Sequence, residues 1–232
     1  MSVQTLTYYE IVSQLPADTV IAFHDVSWDE YEDLLDQVGE PAGLRISYGD
    51  GTLTVMTLSS VHESYAKFIE ALIGVLRVRL RLNIRFFGSA TMKKRKPRKG
   101  LEPDACFYVQ TADALGKRID LDFEVDPPPD IAVEIDIHHE SRSKFPIYAA
   151  LGVPEIWRYD GHALTIHLLE GEKYRETTQS PALSMLTSDL LTDFLTRLRD
   201  DGELKALLAF DEWVSGLKSQ GLTEQFRPST LT

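Results

Sequence analysis

The stretch PPPDIAVEIDIHHESRSK, residues 127–144, carries the strongest structural signal in the chain. Its apolar residues alternate from Ile131 to Ile137, which is typical of a strand with one apolar face. Glu134 and Asp136 occupy the opposite face, and side chains two residues apart on a strand point the same way. The stretch therefore predicts a core strand that holds two carboxylates about 6–7 Å apart at their Cα atoms.

Two carboxylates on one strand face among apolar residues need compensation of their charge, because an unpaired buried charge is costly. A divalent cation supplies that compensation, and Mg²⁺ or Mn²⁺ prefers hard oxygen ligands. Asp104 follows Pro103 near the start of another predicted strand, where it can complete a site with Glu134. The alternative is that Asp104 caps its strand and that Glu134 pairs with an arginine.

The composition is that of a globular protein. The chain has 232 residues, of which 43% are hydrophobic, and this is enough for one large domain. No apolar run reaches the roughly 18 residues of a membrane span, and the N-terminus lacks the features of a signal peptide. Cys106 is the single cysteine, so no internal disulfide or thiolate metal site can form. We expect a soluble cytoplasmic protein without membrane contact.

One segment has a charge opposite to that of the chain as a whole. The formal net charge is −12, which repels phosphate, yet KKRKPRK at residues 93–99 is almost wholly basic. Its basic residues are Lys93, Lys94, Arg95, Lys96, Arg98 and Lys99. Pro97 and Gly100 make the segment turn-like, so a solvated turn is one interpretation. A loop that contacts the phosphates of DNA is the other.

Hydrophobic periodicity predicts the elements that precede the core strand. Ser27 and Glu30 form a capping box for a helix over about 28–38, and LRISYGDGTLTVM at 44–56 predicts a hairpin. Over about 61–82 the apolar residues recur at helical spacing and predict a long helix. The N-terminal part of the fold should therefore be a hairpin between two helices.

Alternating segments continue on both sides of the core strand. NIRFFGS and EPDACFYVQ predict two strands before it, and residues 154–178 predict a meander after it. Two amphipathic helices follow over about 187–217. No internal repeat or linker divides the chain, so we expect a single domain over 1–232 with its core at about 25–180.

A short helix is expected directly after the core strand. Ser141 or Ser143 can cap it, Pro146 lies in its first turn and Gly152 stands just past its end. Lys144 falls at the start of this helix, where the helix dipole disfavours a cation unless an anion lies nearby. A carboxylate of the core strand or a bound phosphate would be that anion. The alternative is a lysine that reaches into solvent.

The histidines do not predict a zinc site. His138 and His139 are neighbours, and adjacent residues on a strand point to opposite faces, so they seldom bind one ion together. His62 lies far from both in the sequence.

Three features resemble the Uma-type restriction endonucleases of the PD-(D/E)XK superfamily: Pro103-Asp104, the strand DIAVEID containing Glu134 with Lys144 downstream, and the block IYAALGVPEIWRYDG. The resemblance covers roughly residues 25–215 and is strongest over 129–161. It implies a restriction-endonuclease-like core, which is a mixed sheet flanked by helices. It also implies phosphodiester hydrolysis that depends on a divalent metal.

The core strand departs from the superfamily pattern, which is Glu-x-Lys on one strand. Asp136 stands at the lysine position, and the resemblance implies that Lys144 from the following helix takes the role of the lysine. Glu63 resembles the acidic residue that such folds place on the first core helix, although a capping box with Ser60 also explains it. The implied catalytic residues are Asp104, Glu134, Lys144 and Glu63, with Asp136 as a further candidate metal ligand.

The sequence thus favours an α/β endonuclease that acts on DNA with Mg²⁺ or Mn²⁺. A homodimer is expected, because concerted cleavage of both strands needs two active sites. A non-catalytic nucleic-acid-binding or assembly protein with the same fold is the alternative. The acidic net charge and the displaced lysine favour the alternative, and the preserved carboxylates favour the enzyme. Convergence of Asp104, Glu134 and Lys144 within about 6 Å would support the enzyme.

Overall fold

The computed structural model of the chain describes residues 6–39 and 43–219. In chain order its elements are α1 Tyr8–Val12, β1 Val20–Phe23, α2 Trp28–Val38, β2 Leu44–Gly49, β3 Thr52–Thr57, α3 Ser60–Leu80, β4 Arg85–Phe86, β5 Met92–Lys94, β6 Lys99–Leu101, β7 Ala105–Tyr108, α4 Ala112–Leu115, β8 Ile131–Ile135, α5 Phe145–Leu151, β9 Glu155–Tyr159, β10 Leu164–Glu170, β11 Lys173–Thr177, α6 Ser188–Asp201 and α7 Glu203–Ser219. A 3₁₀ turn at Arg142–Lys144 leads into α5.

The strands form two sheets. The first is antiparallel in the order β1-β3-β2-β6-β5, and the second is mixed in the order β11-β10-β9-β8-β7-β4. In the second sheet β8 and β9 pair in parallel, with Glu134 opposite Arg158. The predicted α/β architecture with a mixed sheet flanked by helices is confirmed, and the predicted N-terminal hairpin is β2 and β3 of the first sheet.

The alternation along β8 is the one that the sequence predicts. Ile131, Val133 and Ile135 belong to the largest apolar core, which α3, α6 and α7 also line. Ala132 belongs instead to a second cluster that includes residues of α5. Glu134 has the same parity as Ala132, so its side chain leaves β8 on the face that α5 covers.

A buried aspartate fixes β7 beside β8. Asp130, which directly precedes β8, accepts hydrogen bonds at Oδ2 from the backbone N–H groups of Val109, Gln110 and Thr111 at 2.7, 2.8 and 3.0 Å. The hydroxyl of Thr111 donates to the same oxygen at 2.9 Å. At the other end of β7 the N–H of Asp104 donates to the carbonyl of Val133 at 2.9 Å. Asp104 is thereby held next to the carboxyl half of β8.

The capping box predicted for the long helix is wrong. Ser59, not Ser60, is the N-cap, and its Oγ accepts a hydrogen bond from the N–H of His62 at 3.3 Å. Two successive serines offer the same capping chemistry, and the helix begins one residue earlier than the box requires. Glu63 is consequently free of a capping role and pairs with Arg45 at 3.1 Å.

The helix after β8 is also capped differently from the prediction. Pro146 lies in the first turn of α5 and Gly152 ends it with φ 83°, as expected. Ser141 makes no side-chain cap, because its N–H and Oγ both donate to Asp136, at 2.9 and 3.1 Å. Lys144 is the N-cap residue of α5.

The C-terminal part agrees with the prediction of two helices, since Gly202 separates α6 from α7. α6 packs against β10 of the second sheet, and α7 packs against α3 and α6 in the same apolar core. Within residues 6–39 and 43–219, no helix combines the length and apolar character needed to cross a membrane.

Candidate active site

Glu134 lies at the centre of the candidate site. Its side chain is 1% exposed, and Nζ of Lys144 donates to its Oε2 at 2.7 Å. The hydroxyl of Tyr148 donates to Oε1. Lys144 and Tyr148 are four positions apart, so one end of α5 holds both oxygens of the carboxylate.

The environment shifts the pKa of both members of the ion pair. Burial raises the pKa of Glu134 to about 7, and the charge of Asp104 adds to this, while Lys144 and Tyr148 oppose it. Burial acts to lower the pKa of Lys144, but the carboxylates of Glu134 and Asp104 outweigh it and leave that pKa above its ordinary value. Lys144 is therefore charged at neutral pH, whereas Glu134 is close to its titration point.

Asp104 is held by groups from three different elements. Nε of Arg45 in β2 donates to Oδ1 at 3.0 Å, and the N–H of Ile135 in β8 donates to Oδ2 at 2.7 Å. Nε2 of His62 in α3 lies 3.1 Å from Oδ2. Burial acts to raise the pKa of Asp104, but His62, Lys144 and Arg45 outweigh it, so the pKa is lowered and the group stays ionised.

Asp136 shares the cavity with Glu134, as the predicted strand face requires. Its Oδ2 accepts hydrogen bonds from Ser141 and from Nε of Arg158, the latter at 2.5 Å. The charge compensation that the sequence argument assigns to a metal is thus supplied within the protein. Lys144 forms an ion pair with Glu134, Arg45 forms one with Asp104, and Arg158 forms one with Asp136.

A cavity of about 180 Å³ lies in front of these groups. One wall is the first sheet, and the other is the segment between β8 and α5. Its charged lining residues are Arg45, Glu134, Asp136, Glu140 and Lys144. Asp104, whose side chain is fully buried, does not line the cavity but contacts Arg45, which does.

The donor set suits a divalent cation of the Mg²⁺ type. An ionised carboxylate offers about four lone-pair positions, and the contacts to Lys144 and Tyr148 use two of those on Glu134. Mg²⁺ usually binds through one or two carboxylates and keeps several waters. In the part of the chain that the structure describes, no three His, Cys, Asp or Glu side chains have the arrangement of a metal site. Among the described contacts, Oδ1 of Asp104 and each oxygen of Glu134 accept a single hydrogen bond, so each keeps a lone pair that such an ion could use.

Sequence reasoning missed four residues of this site, which are Arg45, His62, Tyr148 and Arg158. Tyr148 had a readable signal, because it follows Lys144 at helical spacing. Arg45 and His62 had none, since their contacts with Asp104 join distant parts of the chain. The candidate Glu63 touches the site only through Arg45, and its side chain is 39% exposed.

The two adjacent histidines lie beside Asp18, and His139 also lines the cavity that Glu134 faces. His138 and His139 both approach Asp18, at 3.6 and 3.8 Å from its carboxylate. The expectation that they point to opposite faces is wrong, because β8 ends at Ile135 and strand alternation does not extend to them.

The basic segment is a hairpin, with Lys93 and Lys94 in β5 and Lys99 in β6. Three of its cations have acidic partners: Lys93 pairs with Glu32, Arg95 pairs with Glu32 and Asp29, and Lys99 pairs with Asp50. Lys94, Lys96 and Arg98 form no ion pair with any residue that the structure describes. Half of the predicted nucleic-acid contacts are therefore engaged within the protein.

Glu102 is a further buried carboxylate, two residues before Asp104. Its oxygens accept hydrogen bonds from the hydroxyl of Thr91 at 2.7 Å and the N–H of Ile46 at 3.0 Å. Burial raises its pKa, and these bonds together with the charge of Arg45 oppose the rise without cancelling it.

Glu102→Gln is expected to stabilise the protein increasingly as the pH rises above 4.5, the ordinary pKa of the group. Below its ordinary value of 4.5 the carboxyl group is protonated in the folded and the unfolded chain, so glutamine changes little. Above its raised pKa, the folded protein bears a buried charge that glutamine removes. Thermal unfolding should show the melting temperature of the variant gaining about 2–4 °C on the wild type, the shift that 1 kcal/mol produces at this size. A gain that is constant with pH, or one shared by the exposed control Glu172→Gln, would contradict this account.

The family model Uma2, described as "Putative restriction endonuclease", matches residues 28–198. A solved structure of a putative nuclease belonging to DUF820, from Anabaena variabilis, aligns with 73% of this chain and 99% of its own, at 15% identity and a TM-score of 0.48. None of the curated proteins matches the chain. The family match includes every residue of the candidate site.

Proposed function

The chain belongs to the Uma2 family of putative restriction endonucleases, and on that premise we propose that it is a divalent-metal-dependent endonuclease that hydrolyses phosphodiester bonds of DNA. One observation carries the proposal. Glu134 and Lys144 line a cavity with Nζ 2.7 Å from the carboxylate, and the buried carboxylate of Asp104 contacts Arg45, which lines the same cavity.

Asp104 and Glu134 would hold the cation, Mg²⁺ or Mn²⁺. When bound, it would act as a Lewis acid on the phosphate and promote formation of the hydroxide nucleophile. Asp136 lines the same cavity and would be a further ligand through Oδ1, because the hydrogen bonds from Ser141 and Arg158 both reach its Oδ2.

Lys144 would stabilise the charge that develops on the phosphoryl oxygens. Negative charge grows there in the transition state, and a fixed cation lowers the barrier most in a water-poor site. Lys144 keeps its proton because Glu134 and Asp104 raise its pKa. Arg45 places a second cation at the cavity wall, where Asp104 and Glu63 hold its guanidinium.

Contacts with DNA outside the cavity would come from those cations of the basic hairpin that have no acidic partner. Lys94, Lys96 and Arg98 are the cations there without an acidic partner among the described residues, and we propose that they contact phosphates. A homodimer in the cytoplasm is part of the same proposal, because two copies would cut the two strands of a duplex.

A specific observation favours the alternative of a non-catalytic binding protein. Each site carboxylate has its own cationic partner, so burial of Asp104, Glu134 and Asp136 does not demand a metal. In that case the fold would bind nucleic acid without cleaving it.

Cleavage of supercoiled plasmid DNA separates the two functions. We expect the purified protein to nick or linearise plasmid with Mn²⁺ or Mg²⁺, and EDTA to stop the reaction. Glu134→Gln, which keeps the shape of the side chain but not its charge, should lower the rate to background. Glu170→Gln, at an exposed pair with Arg175, should cleave like the wild type. Absence of cleavage of DNA and RNA with either metal would favour the binding protein, and cleavage that survives EDTA would exclude metal dependence.

A further inference from the structure

We propose that Tyr148 is a positioning residue for the hydrolysis, which keeps Glu134 in place when Lys144 turns from Glu134 to the phosphate. This inference rests on the proposed function. Its starting point is that two side chains of α5 divide the two oxygens of one carboxylate between them.

The two partners of Glu134 differ in mobility. Tyr148 is completely buried and packs in the cluster that contains Ala132, Ile147 and Ile156. A tyrosine side chain has two torsions, and here the surrounding core fixes both. Lys144 carries its ammonium on a flexible four-carbon stem, and its side chain is 13% exposed at the cavity. Tyr148 is thus the rigid partner and Lys144 the movable one.

Substrate binding changes the demands on Lys144. An ammonium group that bonds to Glu134 at 2.7 Å must redirect part of its hydrogen bonding to stabilise a phosphate. Glu134 would then lose a restraint at the moment when its position matters most. The hydroxyl of Tyr148 donates to the other oxygen, so this bond can persist throughout the reaction.

The position of the Asp104 carboxylate does not depend on Tyr148. Arg45 and the N–H of Ile135 hold its two oxygens, and neither group belongs to α5. Loss of the tyrosine hydroxyl should therefore loosen one ligand of the cation and leave the other in place. We therefore expect a partial loss of activity and of metal affinity, rather than complete loss of the metal site.

Tyr148→Phe tests this role, because it removes the hydroxyl and keeps the ring in the core. We expect kcat for Mn²⁺-dependent plasmid cleavage to fall by about 10–100-fold and the Mn²⁺ affinity to fall by a factor of about 10, the range for losing a partner that orients a metal ligand. KM for DNA should stay within about 3-fold, since Tyr148 contacts no DNA in this scheme. The EPR spectrum of bound Mn²⁺ should broaden, because the loosened carboxylate makes its surroundings less uniform.

Tyr174→Phe is the matched control. Its hydroxyl is partly buried and donates to the carbonyl of Val153 at 2.6 Å, but it does not contact Glu134. It should cost similar stability while leaving kcat, the Mn²⁺ affinity and the EPR spectrum unchanged. A defect of equal size in both variants would reduce Tyr148 to a packing residue.

The outcomes separate this inference from the proposed function. If the wild type cleaves DNA and Tyr148→Phe matches it in kcat and Mn²⁺ affinity, the positioning role is wrong and the proposed function stands. If the wild type binds Mn²⁺ but cleaves nothing, the proposed function fails and the positioning role for hydrolysis fails with it. If the wild type binds no Mn²⁺, both are overturned.

Discussion

Replacing Lys144 with alanine is expected to lower Mn²⁺-dependent DNA cleavage by about 10²–10³-fold, the scale for losing one preorganised electrostatic group. Lys144 is the cation that contacts Glu134, and it stays protonated in the buried site. Metal binding should be nearly intact, because the ligands Asp104 and Glu134 are unchanged. Single-turnover cleavage at saturating Mn²⁺ measures the chemical step without the contribution of metal affinity.

Two further variants provide a test that preserves the charge and a control at an exposed lysine. Lys144→Arg keeps the charge but replaces the compact ammonium with a planar guanidinium, so it should restore activity only in part. Lys173→Ala removes an exposed lysine of β11 and should leave the rate unchanged. If Lys144→Ala cleaves as fast as the wild type, Lys144 has no role in the chemistry.

The same substitution carries a structural consequence that can be measured separately. Without Lys144, the ionised form of Glu134 is buried without its cationic partner, and removing one member of a buried pair costs about 3–5 kcal/mol. Mn²⁺ would replace part of the missing charge. The deficit in melting temperature should therefore be smaller with Mn²⁺ than with EDTA, which distinguishes loss of chemistry from loss of fold.

The sequence was informative where the signal was local. The alternation of Ile131, Val133 and Ile135 predicted β8 and the opposite face for Glu134, because strand geometry fixes the side of every second residue. The helix dipole argument for Lys144 was local as well. It required a nearby anion, and the structure supplies Glu134 at 2.7 Å.

The partners of Asp104 could not be predicted, because they come from distant elements. Arg45 is 59 positions from Asp104, and only the approach of the first sheet to β7 brings them together. Nothing in the local pattern around Arg45 marks it as buried, since a strand arginine is more often exposed. The buried carboxylates predict a metal only while their cationic partners are unknown, and those partners are visible only in the structure.

The sequence also could not show which cations of the basic segment, residues 93–99, are free of acidic partners. A run of six cations predicts a phosphate-binding loop only if the charges are free. Glu32 and Asp29 in α2 pair with Lys93 and Arg95, and no sequence pattern connects that helix to the hairpin. Free and engaged charges in such a run become distinguishable only in three dimensions.

We expect Asp104 and Glu134 to bind one divalent cation together, with a large effect on stability. A ligand at 100 times its Kd stabilises the folded state by about 2.7 kcal/mol. For a chain of this size, that corresponds to a rise of about 5–10 °C in melting temperature. Glu134→Ala should abolish the rise, because one of the two carboxylates is lost.

Thermal unfolding of the wild type and Glu134→Ala with EDTA, Mg²⁺ or Mn²⁺ shows whether the cation binds at these two carboxylates. Isothermal titration with Mn²⁺ on both proteins gives the stoichiometry. We expect one bound ion and a rise of about 5–10 °C for the wild type, with neither in the variant. An equal rise in Glu134→Ala would place the ion elsewhere on this acidic chain, and no rise in either protein would show that Lys144, Arg45 and Arg158 suffice to balance the buried carboxylates without a metal.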